Sequence, residues 1–540
     1  MKKLMFYLIT GCMLFSFTAH SADMPNYTSR VYPGQDGRLI YIPDEQGNII
    51  PDFSHAGYNG GGVPLPFVAA KETLWAVEGD AAPMIQSAID RVAALPLDEH
   101  GFRGAVLLQM GYYELHSPLK IAASGVVLRG DGMGQTGTIL IGVDAEEMSY
   151  NNRNDSNLIE VGGVSAWEPD EKTMTQIANS FVPVGARSFR VKSANGYKTG
   201  DTVLVRRHGN QEWIHELGQD LENEQWRWEP FTMQWDRIVT AVDGNTITVD
   251  APITFAIDSQ WGGGEIVKYT SPGRISNVGI ENLRGMSDYD QAVRRTDYGN
   301  IDRSPYIGEE YYSDENHYWN FIAIDNIENA WVRNITALHF GRSAVSTRSG
   351  AKWITVQDCV SLEPVSLRHG GRRFTFQIGG QLTLIQRCFS EKGRHSFVLG
   401  GRGACGPNVF LDCSVTIPYN SSEPHGGFVT GSLFDNVQAP LTARFWKEIS
   451  IGWAGANTVF WNCEGPFLIQ KPPTAQNYSF GHIGIHATVY NTRYQDLTKE
   501  DGYIESWDKH VDPRSLYLTQ LRDRLGEQAV RAIAEPEQMK

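Results

Sequence analysis

The chain has 540 residues, 41% hydrophobic and 20% charged, so it can bury a sizeable core and is not a disordered polymer. A formal net charge of −15 supplies no general basic face for nucleic acid. Beyond the first residues no window holds 18 consecutive apolar residues, which predicts a soluble mature protein with no transmembrane anchor.

Residues 1–22 follow a secretory plan: Lys2 and Lys3, an apolar run from Leu4 to Phe17, then small residues before Asp23. Cleavage near Ala22 would send the protein to the periplasm or the medium. A lipoprotein anchor through Cys12 is the competing reading, but Cys12 stands early and the apolar run continues past it. Once the leader is removed, Cys359, Cys388, Cys405, Cys413 and Cys463 remain. An odd number crowded into one stretch makes a poor disulfide framework, and no CxxC pair marks a zinc site.

After a leading segment over residues 23–78, "GDAAPMIQSAIDRVAAL" from Gly79 carries Met84, Ile85, Ala88, Ile89 and Val92 on one helical face. "GAVLLQMGYYELHSPLKIAASGVVLRGDGMG" follows. A helix, then Gly-x-Val-x-Leu, then "SGVVLRGDG" resembles the opening coils of secreted right-handed parallel β-helix proteins of the pectate-lyase-like superfamily. The resemblance covers residues 50–500 in plan. It implies an all-β solenoid whose open end is capped by this helix, over residues 79–186. "DFSHAGYNGGGVPLP" from Asp52 resembles the segment that leads into such solenoids, its glycines serving a tight chain path.

Residues 187–260 break the pattern. Hairpin-like strands flank a loop with Trp213, Trp226, Trp228 and Trp235, which reads as a small β insertion standing over the solenoid. His208, His215 and these tryptophans either close over a groove or build the insertion's own core.

Residues 261–493 carry a ladder. "VGIENL", "WVRNI", "ITVQDC", "LTLIQRC", "NVFLDC" and "TVFWNC" end at 283, 335, 359, 388, 413 and 463. The intervals of 52, 24, 29, 25 and 50 residues are single or double steps of one solenoid coil. In a parallel stack equal positions lie about 4.8 Å apart and prefer equal small apolar residues, so the cysteines form a buried stack. Asp358, Asp412 and Asn462 share one position and read as turn residues. "RFTFQIGG" from Arg373 and "RHSFVLGG" from Arg394 repeat a second strand, continued by "FVTG" from Phe428. Residues 494–540 read as two short helices broken at Gly526 that cap the far end.

The chemistry concentrates in one island. Arg368, Arg372, Arg373, Arg387, Lys392, Arg394 and Arg402 stand within 35 residues that contain one acid, Glu391. Such an island on an acidic chain points to an anionic ligand. The superfamily it resembles is rich in enzymes of acidic polysaccharides, which implies a polysaccharide lyase or a glycoside hydrolase with an acidic polysaccharide as partner. A non-catalytic adhesive β-helix is the third reading. β-Elimination at a uronic acid needs a cation to neutralise the carboxylate, a base and an acid. The catalytic candidates are His425, His395, Arg394 and Tyr419. Arg368, His369, Arg373, Arg402, Trp453 and Asn457 are the candidate substrate-binding residues. Alternation tempers His395, which points inward if Phe397 and Leu399 do. Hydrolysis needs two carboxylates at a set separation, for which Glu423, Asp435 and Glu464 are available. No clustered acidic loop resembles a calcium site, so no metal or cofactor is expected, calcium staying open. A monomer is expected.

Overall fold

The computed structural model describes residues 25–143, 156–220, 227–297, 308–447, 451–487 and 495–540. The expected leader, with Cys12, and Trp226 lie outside the described residues.

The solenoid is a right-handed parallel β-helix of three sheets. The first stacks Val126–Gly130, the leading halves of Ile275–Ser287 and Ile327–Leu338, then Ala351–Gln357, Leu384–Gln386, Cys405–Leu411, Val429–Asp435 and Val459–Trp461, each parallel to the next. The second continues from it through Val360–Leu362, Phe389–Glu391 and Ser414–Thr416. The third stacks Asn157–Gly162, Asn320–Asp325, Ser343–Thr347, Phe376–Ile378, Phe397–Leu399 and Glu423–Pro424.

The corner between the first and second sheets explains the repeated polar residue. Asn282, Asn334, Asp358, Arg387, Asp412, Asn436 and Asn462 all take left-handed backbone, φ between 50° and 58°. Asn and Asp tolerate that conformation best. Arg387 is accommodated by ion-pairing with Asp358 one coil away, at 2.7 Å. One residue on, Cys359, Cys388, Cys413 and Cys463 are buried free thiols in the solenoid core, as the ladder predicts. Val437 fills the step between the last two, so the 50-residue interval is indeed two coils.

Four expectations need correction. The 52-residue interval is one coil, because Leu283 pairs directly with Ile335; the surplus leaves the solenoid as an excursion containing the hairpin Arg294–Thr296/Glu310–Tyr312. "FVTG" belongs to the first sheet, and the third-sheet partner of Phe397–Leu399 is Glu423–Pro424. The insertion is wider than residues 187–260: its antiparallel sheet begins at Glu168 and ends at Thr270. Its tryptophans Trp213, Trp228 and Trp235 are its own core, and it packs on the corner between the third and first sheets through Phe428. Finally, the helices Leu516–Leu525 and Glu527–Arg531 do not close the far end. They lie against the outer face of the first sheet, where Leu384, Leu411, Leu433 and Trp461 project outward. The N-terminal segment shares that face, Gly57 donating its N–H to Leu382. The helix Ala82–Ala93 does cap the solenoid start, burying Ile85, Ala88, Ile89 and Val92.

Candidate functional site

A cleft of about 400 Å³ opens at the corner between the second and third sheets. One wall is the excursion, with Tyr289, Glu309, Glu310, Tyr311 and Tyr312; the other is the coil corners, with His339, Glu363, Arg368, Arg373, Lys392, Ile417 and Tyr419. Glu363, Lys392 and Ile417 all have left-handed backbone, which turns three successive coils at the same register position. The two walls differ in origin: one is repetitive, the other an interruption of the repeat.

The cations of the cleft are held by aromatic faces. The Arg368 guanidinium lies 3.9 Å from the Tyr311 ring centre and 4.4 Å from that of Tyr419. Arg373 is 5.6 and 5.3 Å from the same two rings. Its Nη2 donates to the Ser366 carbonyl at 2.7 Å. Burial lowers the Arg373 pKa to about 10, still charged at neutral pH. Tyr311 donates its hydroxyl to Asp297 at 2.6 Å, and burial together with that carboxylate raises its pKa far above the ordinary phenol value. Asp297 stays ionised because Tyr311 and Arg295 outweigh its burial. Burial lowers the His339 pKa against the attraction of Glu363, whose Oε2 is 3.7 Å from Nε2. The cleft thus presents a neutral imidazole, phenols and guanidiniums together.

Beside the cleft, on the third sheet, lies a buried polar cluster. Glu423 Oε1 accepts from His425 Nδ1 at 2.5 Å and stands 3.2 Å from His395 Nδ1. Its Oε2 accepts from Ser421 at 2.8 Å and from Thr442. His395 Nδ1 also donates to the Ser421 carbonyl at 2.6 Å. The two imidazole rings are 4.3 Å apart and both meet Phe374 edge-on. Burial would raise the Glu423 pKa, but both histidines and Arg444 hold it far below the usual carboxylate range. Burial lowers the pKa of both histidines. With Nδ1–H of His425 fixed on a carboxylate, its Nε2 carries the lone pair. His395 therefore joins this cluster instead of the apolar core, because the regular strand starts only at Phe397.

His395, Glu423 and His425 are also a group among the described residues whose donor atoms lie close enough together to hold a metal ion. Arg444, 3.8 Å from Glu423 and stacked on Trp446, opposes a cation there. Arg394 adds a second positive charge beside both histidines. The donor set therefore fits a metal poorly.

Of the residues expected from sequence, Arg368, Arg373 and Tyr419 meet in the cleft. Arg394, His395 and His425 meet in the neighbouring cluster, and His369 lies between the two, within electrostatic reach of Asp297, Arg372 and Arg394. Three expectations are corrected. Trp453 is buried against Phe445 and the insertion core. Asn457 donates to the Thr254 carbonyl of the insertion at 2.9 Å. Arg402 is exposed but stacks on Phe231 of the insertion, 4.4 Å from its ring centre. All three serve the insertion corner, not the cleft. His208 pairs with Glu265 and His215 with Asp220, within the insertion itself. Asp435 is tied to the C-terminal helix through Ser515 and Tyr517. The residues not anticipated are Tyr289, Glu309, Glu310, Tyr311, Tyr312, His339 and Glu363. For Tyr289 and the residues from Glu309 to Tyr312 the signal was the overlong interval before Ile335, which contains "GEEYYSDENHYW", a polar stretch dense in aromatics and acids; His339 and Glu363 lie beyond it, at coil corners that no motif marks.

No protein-family model and no curated protein matches the chain. Among solved structures it is similar to the Gp54 tailspike of Acinetobacter baumannii bacteriophage AP22, at 14% identity and a TM-score of 0.44, covering 76% of this chain and 56% of that one. The DFA-IIIase of Arthrobacter chlorophenolicus A6 gives 12% identity and a TM-score of 0.35, covering 75% and 64%. The tailspike gp49 of Pseudomonas phage LKA1 gives 11% identity and a TM-score of 0.29, covering 74% and 64%. The chain thus spans less than two thirds of each of these proteins.

Proposed function

We propose that the protein is an exported, carbohydrate-active β-helix enzyme: a lyase that cleaves a uronic-acid-containing polysaccharide by β-elimination in the cleft. The observation that carries this is the pairing of two guanidiniums with two phenols. Arg368 and Arg373 both sit against Tyr311 and Tyr419, in a cleft open enough for a sugar.

The chemistry follows from those side chains. A guanidinium fork on the uronate carboxylate withdraws charge and acidifies the proton on the adjacent carbon. Tyr419, hydrogen-bonded to Arg373, would exchange a proton beside that fork. His339, which lines the cleft and is kept neutral by burial, is the second proton-transfer group. The base takes the α-proton, the electron pair forms the ring double bond, and the glycosidic oxygen leaves with a proton from the acid.

Hydrolysis is the second reading, favoured by Glu309, Glu310 and Glu363 on the same cleft. One assay separates the two. The full chain is incubated with polygalacturonate, alginate, ulvan and glycosaminoglycans while near-ultraviolet absorbance and reducing ends are followed together. Elimination raises both; reducing ends without absorbance would assign a hydrolase, and neither signal would remove the enzyme reading.

A further inference from the structure

We infer that the solenoid carries a second saccharide-binding site, an aromatic platform at its N-terminal end built from Trp75, Met110 and Tyr112, which holds the stretch of acidic polysaccharide flanking the cleft. This rests on the reading of the cleft as a polysaccharide site.

The platform is a product of backbone contact. Strand Ala70–Leu74 pairs with Gly104–Leu108 at the start of the first sheet. Just beyond, Ala76 packs so tightly on Gly111 that a Cβ there would come within 2.7 Å of it. Trp75 and Val77 flank Ala76, while Met110 and Tyr112 flank Gly111, so the two pairs stand side by side. All face solvent: Trp75 is 66% exposed, Met110 64%, Tyr112 62% and Val77 45%. Isolated exposed apolar residues are ordinary, but four on two adjoining segments at a sheet edge, two of them aromatic, mark a binding surface. Aromatic faces suit the apolar faces of sugar rings.

The occupant is identified by where the surface leads. Tyr112 pairs with Ile139, Ile139 with Arg284 and Arg284 with Thr336, three strand spacings or about 14 Å along the outer face of the second sheet. In the adjoining column Ile141, Met286, Leu338 and Leu362 stack in register, and Leu362 adjoins Glu363 of the cleft. Ile139, Thr336 and Leu338 are buried, so the surface between the platform and the cleft is made by the half-buried Ile141, Met286, Leu362 and Arg284. Its cation is Arg284, which interacts electrostatically with both Tyr112 and Glu363. A stripe for sugar faces with a guanidinium between fits a chain of uronates, and the span corresponds to about three sugar rings.

The test uses the full chain and the double variant Trp75→Ala/Tyr112→Ala, whose side chains are exposed, with thermal melts confirming the fold. Binding to the same four polymers is read by retardation in polysaccharide-containing gels, and cleavage is compared between polymer and tetrasaccharide. The expected result is about tenfold weaker retardation and a matching rise in KM on polymer, with tetrasaccharide cleavage unchanged. Unchanged retardation by a polymer that the wild type binds would overturn the platform while leaving the cleft reading intact. Weaker retardation without any unsaturated product would keep the platform and sink the lyase. A wild type retarded by none of the polymers would overturn both. A dimer that becomes monomeric in the double variant would assign the face to a second copy instead, and overturn the proposal.

Discussion

Arg394 stands one coil beyond Arg373, its backbone N–H donating to the Arg373 carbonyl at 3.0 Å, yet the two guanidiniums serve different surroundings. Arg373 faces Tyr311 and Tyr419 in the cleft, whereas Arg394 acts electrostatically on His395, His425 and Arg444. The repeat aligns their backbones, and the neighbours separate their roles. Arg373→Lys, which keeps charge but loses the planar fork, is expected to lower kcat/KM on the cleaved polymer by roughly a hundredfold. Arg394→Lys is expected to stay within about threefold of wild type. Steady-state kinetics on both variants, with melts as a folding control, would show it; equal losses would place both in one anion clamp.

Glu423 is fully buried and its two oxygens hold four groups: His395, His425, Ser421 and Thr442. Removing its charge leaves Arg444 without its carboxylate in the interior, and such losses cost about 3–5 kcal/mol. Glu423→Gln is therefore expected to lower Tm markedly even though the side chain keeps its shape. Chemical denaturation would measure the loss. A change below about 1 kcal/mol would mean that the cluster is solvated and that Glu423 does not neutralise Arg444.

The solenoid was legible in sequence because stacking makes equal positions alike. Cys359, Cys388, Cys413 and Cys463 declare one column, and Asp358, Asp412 and Asn462 the left-handed corner before it. The basic island was legible for the same reason, since Arg373 and Arg394 recur at one register position. The cleft was only half legible. Its wall of Tyr289, Glu310, Tyr311 and Tyr312 comes from an excursion that interrupts the repeat, so no periodicity points to it. Trp453 and Asn457 misled because sequence does not say which corner the insertion covers. Phe428, buried among Trp213, Trp228 and Phe255, decides that, and its partners are far away in the chain. The C-terminal helices misled similarly: their apolar face fits an end or a side equally well, and the outward Leu411, Leu433 and Trp461 choose the side.

The thiols give a direct check on the ladder. Burial pushes the Cys405 thiol up to about 11, and burial raises Cys388 and Cys413 well above the ordinary thiol value. The native protein is expected to resist alkylation at neutral pH at Cys359, Cys388, Cys405, Cys413 and Cys463, all of which react once it is unfolded. Cys388→Ala is expected to cost about 1–2 kcal/mol by leaving a small cavity in the column. Cys388→Ser puts a hydroxyl in that apolar column and should cost at least as much. Rapid labelling of Cys388 in the native state would contradict the stacked core.

Asp435 offers a pH test of how the C-terminal helix is fastened. Its Oδ2 accepts from Ser515 Oγ at 2.7 Å and from the Tyr517 N–H at 2.8 Å, at the start of the helix Leu516–Leu525. Burial, aided by Asp412, nevertheless raises its pKa to about 7. A raised carboxyl is protonated in the folded chain and ionised in the unfolded one, so the folded state holds the extra proton between about 4 and about 7. Asp435 therefore adds stability at low pH that is lost as pH rises through that window. His395 and His425 act oppositely: burial lowers their values, so stability is lost as pH falls below the unfolded histidine value of about 6.5. In the wild type the opposing slopes of Asp435 and the two histidines offset one another below about pH 6.5, where the windows overlap. Asp435→Asn removes one of them. Its Tm is expected to fall more steeply on acidification than that of the wild type, and melts at half-unit pH steps would show it. A parallel pair of curves would mean that Asp435 is ionised in the folded chain, its charge carried by Ser515 and the helix N-terminus.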